Sequence, residues 1–329
     1  MPKLSVIIPI YGVEKYIERC AKSLFEQTLD DIEFIFVNDC TQDMSIEILK
    51  TVIESYPNRK DQIRIIHHKT NKGLSRARET GVQAATGDYI AHCDSDDWID
   101  LDYLSAVEEV MSKYQADIGM CGLVRNYDSP SYKPVYKCKY TRVHTMNGET
   151  AFRALSGQYD FGVIVSPSPV NKVYRRDLLE KNNIRFLENV YYEDVLFAFQ
   201  TLLTDCRVVT IPDVYYHHYR RSGSIVQSLT KRHFDDFKTV FTNVKSYLVE
   251  SGLYGEYTFN YYKVLERFYN LLIRQVFQFS SDEQEKKHWM KYSFSALKEV
   301  IDIDEYIEYS SAEDIRRHIQ PYITDTTLY

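Results

Sequence analysis

No window of the 329 residues reaches the ~20 apolar residues that a membrane-spanning helix needs. The first apolar run, residues 4–10, is short and interrupted by Pro9, so it reads as a strand and not as the core of a secretory signal. The six cysteines, Cys20, Cys40, Cys93, Cys121, Cys138 and Cys206, include no close pair. Reduced, buried thiols are their expected state, and the cytoplasm the expected compartment. A net positive charge is missing too: the formal charge is −7, which argues against nucleic acid as a partner. No Gly-x-Gly-x-x-Gly follows the first strand and no Walker loop occurs, so the usual dinucleotide and triphosphate fingerprints are absent. Repeats and low-complexity stretches are also lacking.

What is present centres on residues 87–98. An apolar strand at 89–93 runs into three carboxylates, Asp94, Asp96 and Asp97. The carboxyl end of such a strand is where open α/β sheets bind ligands. Clustered anions repel one another, and all-oxygen ligands favour a hard divalent ion such as Mg²⁺ or Mn²⁺. A plainer reading is a solvated acidic loop, with Asp100 or Asp102 capping the next helix. A calcium loop starting at Asp94 fails, because Ile99 and Ser105 stand where Gly and Glu are required.

Around this centre strands and helices alternate. Strands are predicted at 4–10, 32–37, 63–66, 89–93 and 118–123, with helices between them marked by apolar residues such as Val13, Tyr16, Ile17, Cys20 and Leu24. That rhythm implies right-handed crossovers and a mostly parallel sheet flanked by helices. Beyond residue 124 the rhythm changes: a hairpin is expected at 132–143, a loop at 161–170, a helix opening at Glu193 and Asp194, and strands at 206–211 and 215–219. From 230 on the pattern is helical, with Tyr257, Tyr261, Leu265, Phe268, Leu272 and Val276 on one buried face. The expected division is a catalytic domain at 1–229, with halves at about 1–123 and 124–229, and a helical region at 230–329 packed on it. Residues 286–292 are basic with an aromatic anchor and would suit peripheral contact with a membrane surface, though ordinary packing is favoured.

Five motifs in order carry a resemblance: Ser5-Val6-Ile7-Ile8-Pro9-Ile10-Tyr11, then Val37-Asn38-Asp39, Asn71-Lys72-Gly73-Leu74-Ser75-Arg76-Ala77-Arg78, Asp94-Ser95-Asp96-Asp97 and Tyr192-Glu193-Asp194. Over residues 3–225 the chain resembles family 2 glycosyltransferases, inverting enzymes of the Rossmann-like GT-A fold, including bacterial members that build surface polysaccharides or teichoic acids. The resemblance implies a nucleotide-sugar donor, UDP-linked, and a glycan or lipid-linked glycan acceptor. It assigns Tyr11 to the base, with Pro9 shaping its turn, Asp39 to the uracil imide, and Asn71 and Arg78 to the nucleotide pocket. Asp94 and Asp96 would meet ribose and a Mn²⁺ or Mg²⁺ ion, Asp96 being the direct ligand. Asp194 would be the catalytic base and Glu193 its orienting neighbour. Arg220 and Ser224 would belong to a flap closing over the diphosphate. Cys40, Met44 and Glu79 depart from the family's pattern.

Other classes fare less well. A nucleotidylyltransferase wants a Gly-rich loop where Tyr11-Gly12-Val13 stands. A phosphatase with an Asp nucleophile would place its pair after the first strand, and a glycoside hydrolase needs no nucleotide motifs. The remaining alternative is a nucleotide-sugar-binding or nucleotidylyltransferase-like protein without glycosyl transfer.

Overall fold

A computed structural model describes residues 2–127, 133–158, 163–221 and 228–318. The chain divides into two compact units, one of residues 1–189 and 193–221, the other of 190–192 and 222–329.

The first unit is built on β1 (Leu4–Ile10), whose seven residues are all buried. It pairs in parallel with β2 (Ile32–Asn38), Val6 facing Phe34 and Ile8 facing Phe36. Such continuous apolar runs suit strands covered on both faces. The covering helices are α1 (Ile17–Phe25), α2 (Ser45–Glu54) and α3 (Leu74–Ala84). Gly81 of α3 lies so close to Ile7 that a Cβ there would collide, which lets helix and sheet approach. Next come β3 (Ile63–His67), β4 (Tyr89–His92), β5 (Trp98–Ile99), α4 (Tyr103–Tyr114) and β6 (Ile118–Tyr127). The second half adds β7 (Val135–Cys138), β8 (Thr145–Asn147), α5 (Gly148–Leu155), β9 (Lys172–Arg175), α6 (Arg176–Lys181), α7 (Glu193–Leu202) and β10 (Arg207–Arg220).

The sheet runs β3-β2-β1-β4-β9-β6-β10-β5, with β7 on β6 and β8 on β10. Strands β3, β2, β1, β4, β6 and β10 point one way and β9, β5, β7 and β8 the other, so the sheet is mostly parallel. Several expectations need correction. The hairpin expected at 132–143 does not close on itself: β7 pairs with β6, which extends past Leu123 through Arg125 and Asn126 to Tyr127. Helix α1 starts only at Ile17, because the Tyr16 amide turns back to the Val13 carbonyl. The two strands expected at 206–219 are one strand, which absorbs Pro212 and Asp213 as an irregularity, Asp213 having φ +85°. Asp102 occupies the cap position of α4 without a side-chain bond to the helix, while Asp100 pairs with His217.

In the second unit, α8 (Lys231–Glu250) and α9 (Tyr254–Phe279) bury Phe234, Phe237, Val240 and Phe241 with Tyr261, Leu265, Leu272 and Val276. Three further helices follow, α10 (Glu283–Lys298), α11 (Ile303–Tyr309) and α12 (Ala312–His318). Trp289 of α10 stacks on Phe234 at 5.4 Å, so one face of the aromatic anchor is used in packing. No helix among the described residues is long and apolar enough to cross a membrane.

Candidate active site

Three strand ends of the first unit bring the predicted residues together. At the end of β1, Pro9 is buried within the strand and Tyr11 projects, 53% exposed, next to Gly12 in a left-handed turn (φ +66°). At the end of β2, Asp39 is buried and accepts three bonds: from His68 Nδ1 at 2.7 Å and from the Lys72 and Gly73 amides at 2.8 Å each. A carboxylate offers about four acceptor positions, so this one holds the 71–73 turn and keeps about one in reserve. Gly73 there has φ +84°, which only glycine adopts readily. Asn71 is exposed on the same turn. His68, which the sequence did not single out, fixes Asp39 and is itself held by Thr80.

At the end of β4 the 94–97 loop leaves the sheet centre for β5 at its edge. Asp97 is fully buried and structural. Its oxygens accept from the Tyr216 hydroxyl and the Tyr219 amide, both at 2.7 Å. Burial, then the Asp96 and Asp94 charges, push its carboxyl well above the usual range. Asp96 is partly buried and accepts from Arg221 Nε at 2.7 Å, and its backbone carbonyl accepts from Arg19. That arginine itself lies over the rings of both Trp98 and Tyr219. Burial and Asp94 raise the Asp96 carboxyl despite Arg221.

The two halves of the site meet at Arg78. Its guanidinium is 3% exposed and bonds Asp94 Oδ1 at 2.7 Å on one side and Glu193 Oε1 on the other. One buried cation thereby ties the end of β4 to the first turn of α7. Glu193 is buried, and desolvation pushes its carboxyl up to about 7; Arg78 pulls it back, while Asp194 and Asp94 push it further. Asp194, next along the helix, is only half-buried. The approach to this pair is strained, with Asn189 at φ +56° and Tyr192 at φ +62°. Left-handed backbone of this kind stores about 1–3 kcal/mol per residue and tends to cluster at functional sites.

The departures also find places. Cys40 adopts φ +59° directly after Asp39, and Met44 is exposed just before α2. Glu79 is buried and faces Arg185, Gln83 and the Phe186 amide. Of the flap residues, Ser224 lies outside the described residues, and no hydrogen bond or ion pair joins Arg220 to the carboxylate loop among the described residues. Its neighbour Arg221 bonds that loop, and only the doubled arginine in the sequence hinted at it. An open groove of about 530 Å³ between α1 and β5, lined by Lys15, Arg19, Trp98 and Asp100, is separate from these carboxylates.

No group of three His, Cys, Asp or Glu side chains among the described residues is arranged to hold a metal. Asp94 and Asp96 are the two carboxylates of this loop that would hold Mg²⁺ or Mn²⁺, ions that bind through one or two carboxylates and complete their shell with substrate phosphates and water. Asp94 lies near enough to Asp96 to raise its carboxyl, second to burial and against Arg221.

Comparison with known proteins decides the family. The model described as Glycosyl transferase family 2 matches residues 5–182. The chain is a family 2 glycosyltransferase. The uncharacterized glycosyltransferase EpsJ of Bacillus subtilis is 32% identical to this enzyme, over 78% of this chain and 71% of that protein. A cholesterol galactosyltransferase of Borreliella burgdorferi is 28% identical over 92% and 85%. Among solved structures, residues 1–349 of S. aureus TarS in complex with UDP superimpose with a TM-score of 0.69 at 19% identity, covering 95% of this chain and 85% of that one. That likeness establishes the GT-A-like fold of the glycosyltransferase.

Proposed function

We propose that this glycosyltransferase moves a sugar from a UDP-linked donor to a hydroxyl of a glycan or lipid-linked glycan acceptor, with inversion at the anomeric carbon. The observation that carries the reading is the Arg78 bridge, which brings the Glu193-Asp194 pair to Asp94 across the sheet end. The TarS structures with UDP and with UDP-GlcNAc, and the description of TarS as a poly(ribitol-phosphate) beta-N-acetylglucosaminyltransferase, support the donor class and a β-linked product.

In this reading the exposed Tyr11 ring stacks on the base, and the remaining acceptor position of Asp39 takes the imide N–H. Asp94 and Asp96 would hold a Mg²⁺ or Mn²⁺ ion, which when bound supplies positive charge at the donor phosphates. Arg78 keeps Asp94 and Glu193 in register. Asp194 rather than Glu193 is the base, because Glu193 is buried and committed to Arg78, whereas Asp194 is only half-buried. It takes the acceptor proton as that oxygen attacks opposite the leaving diphosphate. A single displacement inverts the centre.

Thermal unfolding tests the donor assignment, since a ligand bound only to the native state raises the melting temperature. UDP with Mn²⁺ is expected to raise it, and UDP without metal much less. Asp96→Asn should abolish the metal-dependent part. An equal shift with and without metal would exclude the metal assignment, and no shift at all would exclude a UDP-linked donor.

A further inference from the structure

The stretch that leads into the acid pair belongs to the second unit. Residues 190–192 are part of that unit, and the chain passes into the first unit at Glu193, the opening residue of α7. Just upstream, the Asn189 amide donates to Ser75 Oγ of α3 at 2.9 Å. Asn189 and Tyr192 both have left-handed backbone, and Val190 and Tyr191 between them lie in neither strand nor helix. Such a path persists only where the surrounding side chains over-determine it.

Those side chains come from α8 and α9. Asp236 of α8 is buried, and its Oδ2 accepts from the Tyr191 amide at 2.9 Å and from Arg232 Nε at 3.0 Å. The Arg232 guanidinium lies over the Tyr191 ring, 4.5 Å from its centroid. The Tyr192 ring meets Phe268 of α9 edge-on at 5.6 Å. A carboxylate that holds a backbone amide makes a charge-assisted bond, stronger than a neutral one. Arg78 fixes the side chain of Glu193, but the place of Asp194 follows from where the backbone of α7 begins. With Asp236 gone, the Tyr191 amide loses its acceptor and the strained path can relax. A shift of that kind at a reacting group is poorly tolerated, since displacement by about 1 Å can cost ~10²-fold in rate.

We propose that Asp236 is a positioning residue for the catalytic base: by holding the Tyr191 amide it sets the start of α7, and so the place of the Asp194 carboxylate. The helical unit thereby takes part in the transfer itself. This rests on the reading of Asp194 as the base.

Hydrolysis of UDP-glucose, UDP-galactose and UDP-N-acetylglucosamine by the full chain with Mn²⁺, water serving as the acceptor, tests it. Asp236→Ala should lower kcat roughly 10-fold or more, with KM and UDP affinity within about twofold of the parent. Asp236→Asn keeps an oxygen for the Tyr191 amide and should recover most of the rate. Because Asp236 acts through Asp194, combining Asp236→Ala with Asp194→Asn should be no slower than Asp194→Asn alone. Hydrogen exchange over residues 187–196 gives a readout independent of turnover; it should quicken in Asp236→Ala and not in Asp236→Asn. The proposal falls if exchange there is unchanged, if kcat and UDP affinity fall together, or if the two substitutions multiply. A slow Asp194→Asn beside a parent-rate Asp236→Ala would overturn the proposal alone. Asp194→Asn hydrolysing at the parent rate would overturn the base reading, and the proposal with it.

Discussion

The two carboxylate groups of the site are held in opposite ways. The 94–97 loop disperses its charge: Asp94 goes to Arg78, Asp96 to Arg221, and Asp97 is sealed by Tyr216 and the Tyr219 amide. The Glu193-Asp194 pair concentrates its charge, with one member buried against the shared Arg78 and the other left accessible at the start of α7. A loop meant to receive a cation can tolerate several weakly compensated acids. A base needs one reachable carboxylate, and a buried neighbour anchored to a cation can fix its position.

Separating the members of the second pair gives the largest expected effect. Asp194→Asn preserves size and removes the proton acceptor, so transfer should fall ~10²–10⁴-fold while donor affinity hardly changes. Calorimetry for the donor and a transfer assay read the two independently; transfer at the parent rate would move the role to Glu193. Cutting the link between the two groups comes next. Arg78→Leu strands Asp94 and the buried Glu193 without their cation, and removing one partner of a buried pair typically costs about 3–5 kcal/mol. Denaturant unfolding measures it, and Arg78→Leu combined with Glu193→Gln should recover part of the loss.

A third test uses pH. The Glu193 carboxyl is raised to about 7 in the folded chain and returns to an ordinary carboxylate value on unfolding. Between these values the folded state binds the extra proton, so the group's contribution to stability falls as pH rises, by up to ~1.4 kcal/mol per unit, and levels off above about 7. Glu193→Gln should flatten this slope between about pH 4.5 and 7; an unchanged slope would show that Glu193 titrates normally. The smallest effect is expected at the dispersed end. Asp96 and Arg221 are each about one-fifth exposed, so Arg221→Gln should lower stability by no more than ~1 kcal/mol, read as a small shift in unfolding midpoint.

The nucleotide half was the more legible in the sequence. Strands β1, β2 and β4 are largely apolar runs, and each ends on a motif, Tyr11, Asp39 or Asp94, that the parallel register brings to one edge. The second half was read less well. Its strands β7, β8 and β9 run against the parallel set, and β10 carries Pro212 and Asp213 through a bulge that local patterning reads as an interruption. His68 carried no local signal and Arg221 only that of a doubled arginine, because each acts on a carboxylate far away in sequence.

The sequence by itself determined the order of strands and helices, the family motifs and the clustering of Asp94, Asp96 and Asp97, since apolar periodicity and adjacency are local properties. Only the tertiary structure decided which acid is sealed in the interior, which are paired with arginines and which stays half-buried at a helix start. Arg78 reaches Asp94, 16 residues away, and Glu193, 115 residues away, because sheet order places the end of β4 beside the start of α7. Charge and burial at a carboxylate depend on neighbours gathered through space, and no pattern along the chain records them.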